Sequence, residues 1–321
     1  MTKKFDPMNS ESVFFNLFRE FVNSREIAQS TLNNYRVLAG AMMRFERSAA
    51  LQPLTIEDFT SSVLSRFSSF YRHEPQPDGS ERKRAHNTVC SLMRCLRTFF
   101  NWCVRRHIIT VNPFDSYSGS LVERYPSPFY LSANERDDVA THDFSDDPDL
   151  SVQRDIFIFQ CFTGCRISDM LHLTGENIVD GYLEYIARKT AGDHPVVIRV
   201  PLHPHAKEIL QRYHTSDHRA PLLPFIQPQR FNYAIKRMLS QCGITRTISL
   251  LCPYTGQPIR RPINEVATSH MARRTFIGNL YRQVKDPNLI SSLTGHSDNS
   301  RAFNRYRTID DDIKRQIIML L

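Results

Sequence analysis

The chain has 321 residues, with 41 Lys and Arg against 33 Asp and Glu and a formal charge of +8 at pH 7. That length suits two domains, each large enough to bury its own core. A content of 41% hydrophobic and 23% charged residues excludes wholesale disorder, and no apolar run approaches the roughly 18 residues of a membrane helix. Seven cysteines form no Cys-x-x-Cys pair, and no apolar stretch follows Lys3-Lys4. Together these predict a cytoplasmic protein with reduced thiols, no disulfide frame, no zinc site and no membrane partner. A basic balance favours an acidic partner, nucleic acid among the candidates.

Residues 1–115 read as helices throughout. Phe14, Leu17, Phe18, Phe21 and Val22 form one apolar stripe, and Leu32, Tyr35, Leu38, Met42 and Phe45 form a second after Ser30-Thr31. Thr55 with Asp58 resembles a helix start leading into Phe59, Val63 and Phe67, and Pro75, Pro77, Asp78 and Gly79 mark a loop. A long helix follows, with Val89, Leu92, Leu96, Phe99, Phe100 and Cys103 on one side and its end expected at Asn112-Pro113. This helix is basic: Arg82, Lys83 and Arg84 precede it, Arg94 and Arg97 lie within it, and Arg105-Arg106 close it. Either it presents an ordinary solvated face, or it lies along a DNA groove with Arg84, Arg94, Arg97 and Arg105 on phosphates.

Residues 116–129 are rich in Ser, Pro and Tyr and carry no period, which predicts the interdomain linker. The second domain, 130–321, opens with a capping box, Ser132 with Glu135. The acidic stretch Asp143 to Asp149 reads as a surface loop rather than a metal site. Two short β-prone runs, Tyr182 to Ile186 and Val196 to Val200, flank a stretch holding Lys189, Gly192 and Asp193. Helical patterns resume near Ala206 and Phe231, break at a loop with Pro253, Gly256 and Pro258, and then run to the C-terminus. The expected fold class is mainly α with a small antiparallel β-sheet in the second domain.

Three segments carry the chemistry. Thr163-Gly164-Cys165-Arg166-Ile167-Ser168-Asp169 is a glycine turn delivering an arginine to a helix start. In Ser269-His270-Met271-Ala272-Arg273-Arg274, His270 and Arg273 share one helix face. Thr294-Gly295-His296 is followed, ten residues after the histidine, by Tyr306. Each alone has an ordinary structural reading: an Arg166–Asp169 ion pair, a satisfied histidine, a helix C-cap, a half-buried tyrosine. Together they suit a phosphodiester. Guanidinium forks match phosphate oxygens, fixed cations stabilise the charge of phosphoryl transfer, and cations near a tyrosine favour its nucleophilic phenolate.

The order Arg, Lys, His-x-x-Arg, Gly-His, Tyr resembles the tyrosine recombinases, the phage-integrase family of site-specific DNA recombinases. The box from His270 to Phe276 and the basic helix ending in Asn112-Pro113-Phe114 look most like integrases of bacterial mobile elements. The resemblance implies a two-domain DNA clamp, a helical core-binding domain over 1–115 and a catalytic domain with a C-terminal tail helix over 130–321. It implies that Arg166 and Arg273 clamp the scissile phosphate and that His270 and His296 hydrogen-bond its oxygens. Tyr306 would attack to give a 3′-phosphotyrosine, Lys189 would protonate the departing 5′-oxygen, and Asp169 would orient the cations. The gap from His296 to Tyr306 is one residue longer than is usual in that family. The implied chemistry needs no metal, ATP or other cofactor. Implied partners are double-stranded DNA, a homotetramer on two DNA sites, and accessory DNA-bending or directionality factors. Ile313, Ile317, Ile318 and Leu321 would form an apolar helix face that packs on its own domain or docks on a neighbouring subunit. With helices beginning by Phe14, no separate arm-site-binding domain is expected. Two alternatives use the same residues differently: a type IB topoisomerase-like enzyme, and a catalytically inactive, recombinase-derived DNA-binding regulator.

Overall fold

The computed structural model describes residues 12–49, 54–188, 195–284, 286–295 and 318–319. The chain divides into two compact units, one of Met1–Tyr125 with Leu251–Pro258 and one of Pro126–Leu250 with Ile259–Leu321. Among the described residues, no helix is long and apolar enough to cross a membrane.

The first unit is built on four helices: α1 (Val13–Asn23), α2 (Gln29–Ala49), α3 (Ser61–Arg72) and α4 (His86–Arg105). Their apolar stripes meet in a core dominated by aromatic rings. Phe99 of α4 is its hub, with ring centroids 5.3 Å from Phe14, 5.2 Å from Phe18 and 5.6 Å from Phe21. Edge-to-face packing of this kind adds to the burial of each ring.

Several local expectations for this unit are corrected. Asp58 does not begin a helix; its Oδ2 accepts from Thr55 N at 2.7 Å and from Thr55 Oγ1 at 2.8 Å, closing a tight turn. Helix α3 starts later, at Ser61, where the Thr60 hydroxyl caps Val63 N. The loop expected at Pro75 to Gly79 is present, and it forms the tip of a small antiparallel hairpin of β1 (His73–Pro75) and β2 (Glu81–Lys83) that the sequence did not announce. Buried Glu74 ties this hairpin to α2 through an ion pair with Arg44, and pairs also with Arg84 just after β2. Helix α4 stops at Arg105, before Asn112-Pro113, since His107 takes a left-handed φ of 56°. Asn112 instead caps a short 3-10 turn, Pro113–Asp115.

The stretch expected to be a bare linker is partly built into this unit. Asn87 of α4 pairs with the Arg124 backbone in both directions, at 2.8 and 2.9 Å. His86 Nε2 lies 3.0 Å from Val122 O, and Arg94 pairs with Glu123. Residues 251–258 join the same cluster, with His86 N donating to Pro253 O at 2.8 Å.

The second unit surrounds helix α6 (Pro148–Thr163), which is buried along its last nine residues. A helix apolar on nearly all sides must be central. Around it lie α5 (Ala133–Thr141), α7 (Ile167–Met170), α8 (Pro204–Arg212), α9 (Pro228–Gln241), α10 (Ile263–Val266), α11 (Ser269–Val284) and α12 (Pro287–Thr294). The Ser132–Glu135 capping box starts α5 as expected. The β-prone runs form an antiparallel sheet of β3 (Ile178–Val179), β4 (Tyr182–Ile186) and β5 (Val197–Pro201), with Tyr185 opposite Ile198. The expected loop at Pro253 to Pro258 is the tip of a further hairpin, β6 (Thr247–Leu251) with β7 (Pro258–Pro262). Its alternating residues were hidden by the prolines on either side of the turn. The fold is thus mainly α with small antiparallel sheets.

Candidate active site

Helix α6 ends in Gly164, which takes a left-handed φ of 67°. A Cβ there would lie 2.5 Å from the Phe276 ring, so only glycine fits. The chain then turns through Cys165 and delivers Arg166 as the N-cap of α7. Gln160, fully buried, holds this turn by donating from Nε2 to Cys165 O at 2.8 Å.

Helix α11 carries His270 on an exposed position and Arg273 at 1% exposure. Buried arginine needs acceptors at close range. Arg273 finds them at two helix ends, with Nη1 donating to Gly164 O and Nη2 to Thr294 O, each at 2.7 Å. Helix C-termini concentrate unpaired carbonyls and partial negative charge, so both ends favour a guanidinium.

Arg166 reaches the same place from the other side. Its Nη2 donates to Gly295 O at 3.4 Å, and its Nη1 lies 3.9 Å from Asp169 Oδ2. That Nη1 and that Oδ2 are buried without a hydrogen-bond partner, so Arg166 keeps a donor in reserve. Asp169, 3% exposed, accepts from Arg188 N at 3.0 Å through its other oxygen. One carboxylate therefore touches both the Arg166 turn and the chain leaving β4, one residue before Lys189.

Lys189, His296 and Tyr306 lie outside the described residues, as does most of the proposed tail helix. Tyr185, on β4, is no substitute nucleophile. Burial, with Cys165 beside it, pushes its hydroxyl far above the ordinary tyrosine value. Burial also raises the Cys165 thiol. Among the described residues no group of His, Cys, Asp and Glu could hold a metal ion.

The four arginines proposed for DNA separate into two pairs. Arg84 is nearly buried, paired with Glu74, bonded to Tyr71 O at 2.7 Å and stacked 4.0 Å over the Tyr71 ring. Arg94 pairs with Glu123. Arg97 and Arg105 are exposed, with no ion pair among the described residues.

Sequence reasoning passed over Gln160 and gave Thr163 and Thr294, which stand inside the motifs, no role of their own. Gln160 stands alone among the apolar residues Ile156 to Phe162, and an isolated amide in such a run is itself a signal of a buried bond. The threonines precede the two glycines of the motifs, but the pair is no signal by itself, since Thr174-Gly175 and Thr255-Gly256 fall in turns rather than closing a helix.

Comparisons with known proteins identify the family. Residues 13–119 match the phage integrase SAM-like domain, and residues 135–312 match the phage integrase family. Tyrosine recombinase XerC of Bacillus subtilis (strain 168) is 23% identical over 317 residues, covering 97% of each chain. The Tn1549 transposon integrase in complex with circular intermediate DNA superposes with a TM-score of 0.64 at 16% identity, covering 96% of this chain and 99% of that one. A lambda integrase, solved as a tetramer bound to a Holliday junction, gives 0.61 at 21% identity, covering 92% and 78%. Since the family match spans more than half of its residues, the chain belongs to the phage integrase family, the tyrosine recombinases.

Proposed function

We propose that the protein is a site-specific recombinase or integrase that cuts and rejoins DNA through a 3′-phosphotyrosyl intermediate. The observation that carries this reading is the convergence of Arg166 and Arg273 on consecutive carbonyls, Gly295 O and Thr294 O, at one helix end. The residue following that end is His296. Two guanidinium groups fixed beside each other match the nonbridging oxygens of one phosphodiester. Because they are held before any substrate arrives, little reorganisation is needed as charge develops on those oxygens.

In the proposed reaction the Tyr306 hydroxyl oxygen bonds to phosphorus and the bond to the 5′-oxygen breaks. The phenol proton leaves toward His270. Lys189 gives a proton to the 5′-oxygen, a role arginine fills poorly because its pKa exceeds about 12. His270 and His296 donate to the phosphate, and Asp169 orients Arg166. The phosphotyrosine retains the energy of the broken phosphodiester, so rejoining by a second 5′-hydroxyl requires neither ATP nor metal. Arg97 and Arg105 are the groove-helix cations best placed to meet backbone phosphates, with Arg94 available on release from Glu123. A homotetramer on two duplex sites, with accessory bending or directionality factors, completes the proposed assembly.

The test uses duplexes nicked at successive positions across the DNA flanking the gene. A nick beside the cleavage point lets the 5′-hydroxyl fragment diffuse away and traps the covalent adduct. Wild type should form an adduct on one cognate site, and Tyr306→Phe should form none. An adduct that survives in Tyr306→Phe, or salt-dependent binding without an adduct on any duplex, overturns the reading.

A further inference from the structure

The two arginine-bearing motifs end their preceding helices in the same way. Thr163-Gly164 closes α6 and Thr294-Gly295 closes α12, with left-handed φ of 67° and 61° at the glycines. Both threonines are fully buried. Thr163 Oγ1 donates to Phe159 O at 2.9 Å and Thr294 Oγ1 to Ile290 O at 2.8 Å, each bond reaching back one turn. A Cβ on Gly295 would lie 2.5 Å from the Ile198 side chain, just as one on Gly164 would meet Phe276. Neither glycine touches substrate in any reading of the site. Yet the carbonyls gripping Arg273 are those of Gly164 and Thr294, and Gly295 O holds Arg166.

We infer that these twin Thr-Gly caps are positioning elements that fix the arginine pair, with Arg273 bolted between two helix ends. The glycine conformation turns the last carbonyls of each helix toward α11, and the threonine hydroxyl locks the final turn so that they stay there. At the first cap the left-handed glycine lets the chain turn into α7, with Arg166 two residues past it, and in the sequence His296 directly follows the second cap. Phe276 and Ile198 press on the glycines and resist movement of either cap. In this arrangement Arg273 has one set by geometry, whereas an alanine at either glycine must shift the cap and rotate its carbonyl away. A displacement near 1 Å in such a cluster costs up to about 100-fold in rate.

The activity part of the test rests on the recombinase reading, and a second readout does not. With the trapping duplex, Gly164→Ala, Gly295→Ala and Thr294→Val should each slow adduct formation at least about tenfold while changing the DNA dissociation constant less than about twofold. Thr294→Ser, which keeps the hydroxyl, should recover most of the lost rate. Independently of any activity, the guanidinium of Arg273 in wild type should give slowly exchanging side-chain NMR signals, assigned through their absence in Arg273→Lys. Those signals should broaden or vanish in the two alanine variants, measured at temperatures where circular dichroism shows them folded. Unchanged Arg273 signals in folded Gly164→Ala and Gly295→Ala, or adduct rates that fall only in step with DNA affinity, overturn the inference. If wild type forms no adduct but the Arg273 signals behave as stated, the functional reading fails and the caps stand.

Discussion

The two units bury polar groups for different purposes. In the first, the buried polar residues Ser12, Glu46, Glu74, His86 and Asn112 cap a turn or tie one segment to another. Its core is otherwise a cluster of rings, and its periodic stripes account for the packing. In the second, Gln160, Thr163, Asp169, Arg273 and Thr294 are all buried, and all surround one point where two helices end. A folded chain tolerates such a concentration only when every group is satisfied or held for a ligand. The first unit spreads its buried polar groups among separate caps and ties, and the second gathers them beside Arg166 and Arg273, as the proposed phosphate site would require.

The sharpest way to break that contrast is Arg273→Ala. Loss of a preorganised cation at the transition state should lower the adduct rate by about 10²–10³-fold, and the orphaned carbonyls should cost about 1–3 kcal/mol in stability. If the rate in single-turnover trapping falls no more than stability does, Arg273 is only a staple. The counterpart in the first unit is Phe99→Ala, expected to cost about 3–5 kcal/mol in urea unfolding. At temperatures where this variant remains folded, its adduct rate per bound protein should match wild type.

Glu74 gives a smaller effect with a definite pH sign. Burial pushes its carboxyl upward, but hydrogen bonds and the charges of Arg44 and Arg84 outweigh that and hold it below the ordinary carboxylate value. A group lowered in the folded state stabilises the fold above its unfolded value and ceases to as the pH falls through its folded value. Glu74→Gln should therefore lose about 2–3 kcal/mol near neutrality and show a flatter decline than wild type when urea midpoints are followed below about pH 4. An identical acid profile for both proteins would place the stabilisation elsewhere.

Arg97→Ala and Arg105→Ala should each reduce the slope of log affinity against log salt by about 1, on every duplex alike. Arg84→Ala should instead lower the thermal midpoint and leave that slope alone. The reverse pattern would mean that α4 meets DNA by a different face. The smallest effect concerns thiols. Burial pushes Cys103 up to about 12 and Cys242 to about 11, whereas hydrogen bonds from Thr255 lower Cys252. Mass spectrometry after brief alkylation at neutral pH should find Cys252 modified first.

Much of this was legible in the chain. Hydrophobic spacing located α1, α2 and α4, since their stripes repeat over several turns. The capping box located α5, and the motif order picked out Arg166 and Arg273, which the fold brings to one helix end. What failed were short elements and endings. The hairpins β1–β2 and β6–β7 are too short for their alternation to outweigh the prolines and glycines around them. The end of α4 depends on one left-handed histidine, which no spacing announces. Basic residues along and just before α4 looked alike in sequence, although Glu74 and Glu123, distant in the chain, pair with two of them, Arg84 and Arg94.

The +8 charge, the two-domain length and the spaced motifs were thus set by sequence alone, because they depend on residue identity and on periods of three and four. Tertiary structure alone decided which cations are paired, which carbonyls face Arg273, and why glycine must stand at positions 164 and 295. Those properties depend on where helix ends from distant parts of the chain meet. Hydrogen bonding and close contact act over a few ångströms in space, whatever the separation along the chain.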